Sequence, residues 1–320
     1  MANRRQALLG LTAAALGSAG VRAQGSFPDR PLKLVVPFPP GGIMDNIARP
    51  LAEEMGRRLG QSVVVENRGG AAGKIGAMGV LQAPPDGYTL LLANGSTHGT
   101  LPITDPTFDP VKTFAPLGVV ATAPFVLAGH PGLGANNVKE LIALAKSQPG
   151  KLSYATPGVG SASHFAGEQF KSMAGVFILH VPYRGLGPAL QDVMAGTISL
   201  TFDSTILPHL RSGKLKAFAV TSRERWPVLP DVPSLHEAGL TGYDIVGWAG
   251  LAVSANTPAD VQARLNDTLA RVLASAELQE KMRTTGMSVG GGGPSGMAQL
   301  TTDSIARYRK VAETTKMRFE

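Results

Sequence analysis

The sequence predicts an α/β protein of two lobes, and three observations carry that expectation. Short β-branched runs alternate with amphipathic helical patterns from Leu32 onward, the order that builds mostly parallel sheets with helices on both faces. About 300 residues remain once an N-terminal leader is set aside, a length at which one hydrophobic core tends to divide into two. Loops rich in proline and glycine follow many of the strand-like runs, which is where open α/β sheets hold their ligands.

The leader comes first along the chain. Arg4 and Arg5 form a short positive region, an apolar stretch follows from Ala7 to Ala19, and Val21-Arg22-Ala23 makes a small-residue cleavage site before Gln24. These are the three parts of a secretory signal, placed at residues 1–23. The apolar stretch falls short of the roughly 20 residues that span a bilayer. Arg4-Arg5-Gln6-Ala7-Leu8 also partly matches a twin-arginine signal, with Ala7 where a larger apolar residue is usual. Twin-arginine and general secretory export therefore both stay open, and either places the protein in the periplasm.

Strand-like runs occupy residues 32–36, 63–66, 89–93, 126–128, 152–154, 178–181, 200–203 and 216–221. Each is short, β-branched or apolar, and bounded by turn residues. Helical patterns lie between many of them, as at 138–146, where Leu141, Ile142, Leu144 and Ala145 mark the apolar face. Thr257-Pro258-Ala259-Asp260 reads as a helix start with Thr257 as the N-cap and Pro258 in the first helical position. That helix is expected to bury Val261, Leu265, Leu269 and Val272. Residues 45–59 carry a helical stripe of Ile47, Leu51, Met55 and Leu59, yet Pro50 interrupts it. A proline there removes a donor and crowds the preceding turn, so the helix is either kinked or regular only from about Arg49.

Composition removes several functional classes. The formal charge of +7 falls to about +4 when Arg4, Arg5 and Arg22 leave with the leader, and the remaining Lys and Arg are scattered. That is no nucleic-acid footprint. The chain has no cysteine, so disulfide and thiolate chemistry are absent. Six histidines stand singly, without metal-ligand spacing. Gly158-Val159-Gly160-Ser161-Ala162-Ser163 lacks the third glycine of a dinucleotide fingerprint. The stretch from Arg68 to Lys74 resembles a phosphate-binding loop but has Arg68 in place of the first glycine and Ile75 in place of Ser or Thr. No nucleophile elbow and no HExxH motif occurs. Ser163, His164 and Asp203 could be drawn as a triad, but neighbours on a helix do not face each other. No cofactor, metal or catalytic residue is expected.

Three loops are candidates for function. Pro37-Phe38-Pro39-Pro40-Gly41-Gly42 follows the first strand and precedes a helix, with glycines that let backbone amides approach a guest. Asn94-Gly95-Ser96-Thr97-His98 follows the third. Thr156-Pro157-Gly158-Val159-Gly160-Ser161-Ala162-Ser163 leads into a helix that runs to about Ala174. Helix starts leave amides unpaired and partly positive. Ser161 or Ser163 can cap this one, but neither has Glu or Gln three residues later. An external carboxylate would suit such a start.

Taken together, these segments resemble the Bug family, the extracytoplasmic solute-binding component of tripartite tricarboxylate transporters. The resemblance rests on Pro31-Leu32-Lys33-Leu34-Val35-Val36 running into the glycine loop, on Val63-Val64-Val65-Glu66-Asn67-Arg68, and on Pro85-Asp86-Gly87-Tyr88-Thr89-Leu90-Leu91. It continues through Pro149-Gly150-Lys151-Leu152-Ser153-Tyr154, His180-Val181-Pro182-Tyr183-Arg184-Gly185 and Ser212-Gly213-Lys214-Leu215 to Leu229-Pro230-Asp231-Val232-Pro233-Ser234. The pieces span nearly the whole mature chain in order.

The resemblance implies a type II periplasmic binding fold of Venus-flytrap form, with a ligand cleft between two α/β lobes. Residues 25–123 with 247–320 would make the first lobe and 124–246 the second, with crossings near 122–124 and 247–248. It implies a small mono- or dicarboxylate, aliphatic or aromatic, held chiefly by backbone amides, hydroxyls and water. Pro40, Gly41 and Gly42 would hold one end, with Asp45 orienting water or capping its helix, and Ser96 and Thr97 would contribute beside them. Thr156, Gly160, Ser161 and Ser163 would come from the other lobe, with Asp203 directed toward the cleft. Tyr183 either joins them or packs as a structural aromatic. The expected partners are membrane permease subunits, and the receptor itself is expected to be monomeric. A sensing partner of a signalling receptor and, further off, a secreted hydrolase are the alternatives. Ile43-Met44 and Pro157 depart from the family pattern and point to a bulkier or more apolar ligand, an aromatic carboxylate being one option.

Overall fold

The computed structural model describes residues 27–317, so the leader at 1–23 lies outside the described residues. The first unit runs β1 (Leu32–Val36), α1 (Ile43–Leu59), β2 (Val63–Asn67), α2 (Lys74–Leu81) and β3 (Thr89–Asn94). A π-helical segment (Gly95–Thr100), two one-turn helices, α3 (Leu101–Thr104) and α4 (Pro110–Thr113), and the long β4 (Phe114–Pro124) complete it. After Phe125 the chain enters a second unit: β5 (Val126–Gly129), α5 (Val138–Ser147), β6 (Ser153–Thr156), α6 (Ala162–Ala174), β7 (Leu179–Pro182), α7 (Leu186–Met194), β8 (Leu200–Asp203), α8 (Leu207–Arg211) and β9 (Lys216–Val220). It then returns as β10 (Val246–Ser254), α9 (Ala259–Leu273), α10 (Ala276–Thr284), β11 (Ser288–Val289) and α11 (Gly293–Thr315).

Two sheets result, ordered β11-β4-β10-β3-β1-β2 and β7-β6-β8-β5-β9. The expectation of mostly parallel sheets is corrected here. Among the described strands β1–β2, β1–β3, β6–β7 and β6–β8 pair in parallel, and the strand pairs made by β4, β5, β9 and β10, which carry the chain between sheets, are antiparallel. The reason is directional: β10 and β5 enter their sheets against the direction of the βαβ strands, and β4 and β9 pair onto those reversed strands.

The first sheet is buried on both faces, as its central strand composition requires. Leu32, Leu34 and Val36 join Ile47, Leu51 and Met55 of α1 in one cluster. Val35 and Leu91 join Ala77 and Val80 of α2 in another. In the second unit Leu127, Tyr154, Phe165, Phe202 and Tyr243 form a separate core. The C-terminal helix α11 touches both units. Met297 near its start packs with the first sheet's cluster, while Tyr308 and Val311 enter the second unit's core. The Tyr308 ring meets Phe165 edge-on at 5.2 Å.

Two local expectations are sharpened. Helix α1 runs from Ile43 to Leu59 with Pro50 inside it; the carbonyl that loses its donor belongs to Asn46, an exposed residue. At α9 the N-cap is Pro258, not Thr257. Thr257 is buried and its hydroxyl has no partner, while its carbonyl accepts from Gln262 Nε2 at 2.7 Å. Pro258 supplies the extended residue before the helix, and its carbonyl receives the Gln262 N–H. Among the described residues no helix is long and apolar enough to cross a membrane.

Candidate functional site

A cavity of about 640 Å³ lies between the two sheets, beyond the carboxyl ends of β1, β3, β6, β7 and β8. Residues next to the chain's two passages between the sheets, Ala123 with Phe125 and, in β10, Gly247 with Trp248, also line it. The walls are largely apolar, with Phe38, Ile43, Met44, Leu186, Met194 and Met287 among them. Only Arg184, Asp203 and His209 bring ionisable side chains to the lining among the described residues.

The loop before α1 is held open by one carboxylate. Asp45 Oδ2 accepts from Gly41 N–H at 3.1 Å and from Arg49 Nε at 3.0 Å, while Oδ1 accepts from Asn67 Nδ2 at 3.1 Å. Asn67 also donates to the Phe38 carbonyl. Burial works to raise the Asp45 pKa, but the hydrogen bonds from Arg49, Gly41 and Asn67 outweigh it and hold the group ionised below its ordinary range. Gly41 sits at φ +84°, which favours glycine. The N-cap of α1 is Gly42, which has no side chain to serve the first amides. They face the cavity unserved.

On the opposite wall α6 starts at Ala162. Its N-cap Ser161 accepts from His164 N–H, and Ala162 N–H donates across the cleft to Ser96 Oγ at 3.1 Å. Between them stands Ser163, a lining residue 4% exposed whose hydroxyl is enclosed and has no partner. A buried polar atom without a partner costs free energy, and the cavity adjoins this residue. The N-cap of α7, Gly185, likewise offers no side chain. Three helix starts, each the positive end of a helix of nine residues or more, therefore border one cavity.

Asp203 is buried in the wall. Burial raises its pKa to about 6, opposed by hydrogen bonds from the Thr205 hydroxyl and N–H. Three buried histidines are held in the neutral form. His98, His164 and His180 are pushed down to about 3, 4 and 3, burial being the main cause in each. His164 Nδ1 accepts from Gly160 N–H at 3.1 Å, and its ring stacks on His180 at 3.8 Å. The Ser163 hydroxyl has no bond to it, so no nucleophile–base pair is assembled there. Among the described residues no three His, Cys, Asp or Glu side chains gather to hold a metal.

Of the residues singled out from sequence, Pro40, Gly41, Gly42, Ser96, Ser161, Ser163 and Asp203 line the cavity. Five others stand one layer behind it. Asp45 ties the glycine loop as described. Thr97 and Asn94 exchange bonds that cap the π-helical segment. Thr156 Oγ1 meets His180 Nε2 at 2.7 Å, and Gly158 N–H at 3.3 Å. Gly160, at φ +77°, gives its carbonyl to Thr100 Oγ1 across the cleft. Tyr183 donates its hydroxyl to Asp192. Sequence reasoning missed Arg184, Gln191, Phe125, Trp248 and Met287. Position after strand 178–181 would have flagged Arg184, whereas Phe125, Trp248 and Met287 arrive by tertiary folding.

The chain matches the family described as "Tripartite tricarboxylate transporter family receptor" over residues 47–317. A relative from Pseudomonas sp. (strain P51), the UPF0065 protein in the tcbD-tcbE intergenic region, is 36% identical, covering 96% of this chain and 93% of that one. Rpa4515 of R. palustris, solved with adipate, superposes with a TM-score of 0.86 at 36% identity, over 91% of this chain and 98% of that one. MatC from Rhodopseudomonas palustris, solved with bound malate, gives a TM-score of 0.84 at 34% identity, over 89% and 99%. Another neighbour is the periplasmic binding protein BugD, at 0.85 and 36%, over 91% and 99%. The shared fold is therefore that of the two-lobed periplasmic binding proteins. With its cleft, its unserved helix starts and this similarity along nearly the whole described length, the chain belongs to the tripartite tricarboxylate transporter receptor family.

Proposed function

We propose that this chain is an exported periplasmic receptor that captures a small mono- or dicarboxylate between its lobes and delivers it to the permease subunits of a tripartite transporter. The observation that carries this reading is the buried, unpartnered Ser163 hydroxyl beside a cavity bordered by three helix starts, two of which, those of α1 and α7, no side chain caps. A carboxylate there would accept from Ser163 and from the first-turn amides, with the helix ends supplying favourable partial charge. The relatives solved with adipate and malate support the ligand class. The cavity leaves room beside such a group for an apolar body or for ordered water.

In this reading Pro40, Gly41, Gly42 and Ser96 hold the ligand from one lobe, and Ser161, Ser163 and Asp203 from the other. Asp45, Thr97, Thr156, Gly160 and Tyr183 position them from behind. The lobes comprise residues 25–123 with 247–320, and 124–246. The protein works as a monomer, and cleavage after Ala23 releases it from its leader.

A thermal-shift panel of mono-, di- and tricarboxylates, aliphatic and aromatic, tests this. A ligand at about 100 times its Kd stabilises the fold by roughly 2.7 kcal/mol, a rise of several degrees in Tm. Silence across all carboxylates with a response to sugars or amines would overturn the reading.

A further inference from the structure

We propose that Arg184 is a charge clamp at the mouth of the cavity, selecting ligands that carry a second anionic group on the far end of an apolar body. The inference rests on the carboxylate reading above and names which carboxylates the site prefers.

Ser163 is buried and Arg184 exposed, yet both line the same cavity. The same lining carries Ile43, Met44, Leu186, Leu190 and Met194, a surface that offers an apolar body burial and offers a charge nothing. A ligand with its first carboxylate at the buried helix start and its body against these side chains would carry a second charge toward the exposed rim. There the guanidinium is the only permanent positive charge on the lining among the described residues.

The backbone that presents Arg184 is fixed on both sides. Tyr183 N–H donates to the Thr156 carbonyl at 2.9 Å, and the Tyr183 hydroxyl to the Asp192 carboxylate. Gly185 is buried at φ +124°, and a side chain there would come within 3.3 Å of Pro39 from the facing glycine loop. Arg184 therefore sits where the rims of the two lobes meet.

Its charge is also uncommitted. The nearest acid in sequence, Asp192, is taken by Tyr183, and the acid on the cavity wall, Asp203, is bonded to Thr205. No ion pair holds Arg184 to either. A guanidinium with a free fork matches a carboxylate in two parallel hydrogen bonds. A cleft closing around that pair would shield it from the solvent that weakens surface ion pairs.

Isothermal titration of the mature chain with matched ligands tests the clamp: adipate against hexanoate, and terephthalate against 4-methylbenzoate. Each pair keeps the body and removes one charge. The wild type is expected to prefer the diacid in at least one pair by about ten-fold, the scale of a charge-assisted hydrogen bond. Arg184→Gln should bring that ratio to about one, and Arg184→Lys should restore part of it. Lys151→Gln, which removes a cation ahead of β6 and away from the cavity, should leave the ratio intact. No diacid preference in the wild type, or a ratio unmoved in Arg184→Gln with an unaltered circular dichroism spectrum, overturns the clamp while the carboxylate reading stands. If none of the four ligands nor any other carboxylate binds, the functional reading falls and the clamp with it.

Discussion

The hydroxyl of Ser96, in the first unit, accepts a hydrogen bond from the backbone N–H of Ala162, in the second, at 3.1 Å. A second bond runs beside it, from Thr100 Oγ1 to the Gly160 carbonyl. The two lobes are thus latched at the start of α6, next to the residue proposed to take the ligand. The proposed ligand contact and the lobe contact share one helix end.

Removing the latch should cost affinity more than fold. Ser96→Ala leaves the Ala162 N–H without its acceptor only when the lobes are together, a penalty of about 1–3 kcal/mol. The open form gains population, and apparent affinity falls with the fraction closed. Titration calorimetry should report a Kd raised about ten-fold, while small-angle scattering shows a larger radius for the unliganded variant. An unchanged Kd would mean that the bond does not govern closure.

Asp45 should act on the glycine loop in a pH-dependent way. Its folded pKa lies below the ordinary value of 3.8, so its stabilising contribution is complete above 3.8 and lost as pH falls through the lower folded value. Asp45→Asn replaces a carboxylate that holds Gly41, Arg49 and Asn67, and should cost about 2 kcal/mol near neutral pH. Urea denaturation should show the gap between wild type and variant closing below pH 3.8. A gap that persists in acid would assign the effect to shape instead of charge.

Asp203 has the opposite sign. Its folded pKa of about 6 stands above the ordinary 3.8, so the folded chain binds a proton that the unfolded chain has released. Stability is then greatest below 3.8, falls as pH rises toward about 6, and levels off. The same ionisation places a negative charge on the cavity wall. Affinity for a fully ionised carboxylate should therefore weaken from about pH 5 to about pH 7 in the wild type and stay level in Asp203→Asn. Titrations across that window decide it, and parallel profiles for both proteins would count against the assignment.

Gly167 tests the layer beneath the loop. A Cβ there would stand 2.2 Å from Tyr154 Cε2, and Tyr154 is a buried ring whose hydroxyl donates to Glu168 at 2.6 Å. Alanine favours helix over glycine by about 1 kcal/mol, but overpacking a filled core costs about 1–3 kcal/mol. Gly167→Ala should therefore lower stability, by about 1 kcal/mol net, in chemical denaturation. A gain in stability would show that the ring can move aside without loss.

Much of the fold was legible because it is written in local pattern. The run from Leu32 to Val36, the stripe of Ile47, Leu51 and Met55, and the spacing of Val261, Leu265, Leu269 and Val272 each declare a pattern, and those residues are buried except Lys33. Three strands went unread, the two-residue β11 and two long ones. Phe114–Pro124 and Val246–Ser254 are rich in alanine, glycine and proline, residues that strands disfavour. They are strands because they pair with one another along nine registered positions, from Val246 opposite Pro124 to Ser254 opposite Phe114. No short window of sequence contains that partner.

The site divides along the same line. Sequence alone determined the glycine loop and the serine-rich helix start, because those depend on residue type and on position after a strand. Tertiary structure decided which polar groups remain free. Thr97 and Thr156 look as available as Ser163 in the sequence, yet Asn94 and His180 engage their hydroxyls, while Ser163 is left buried and unpartnered. Hydrogen-bond satisfaction depends on which groups packing brings within about 3 Å. That the Ser163 hydroxyl is left without a partner is accordingly a property of the assembled lobes.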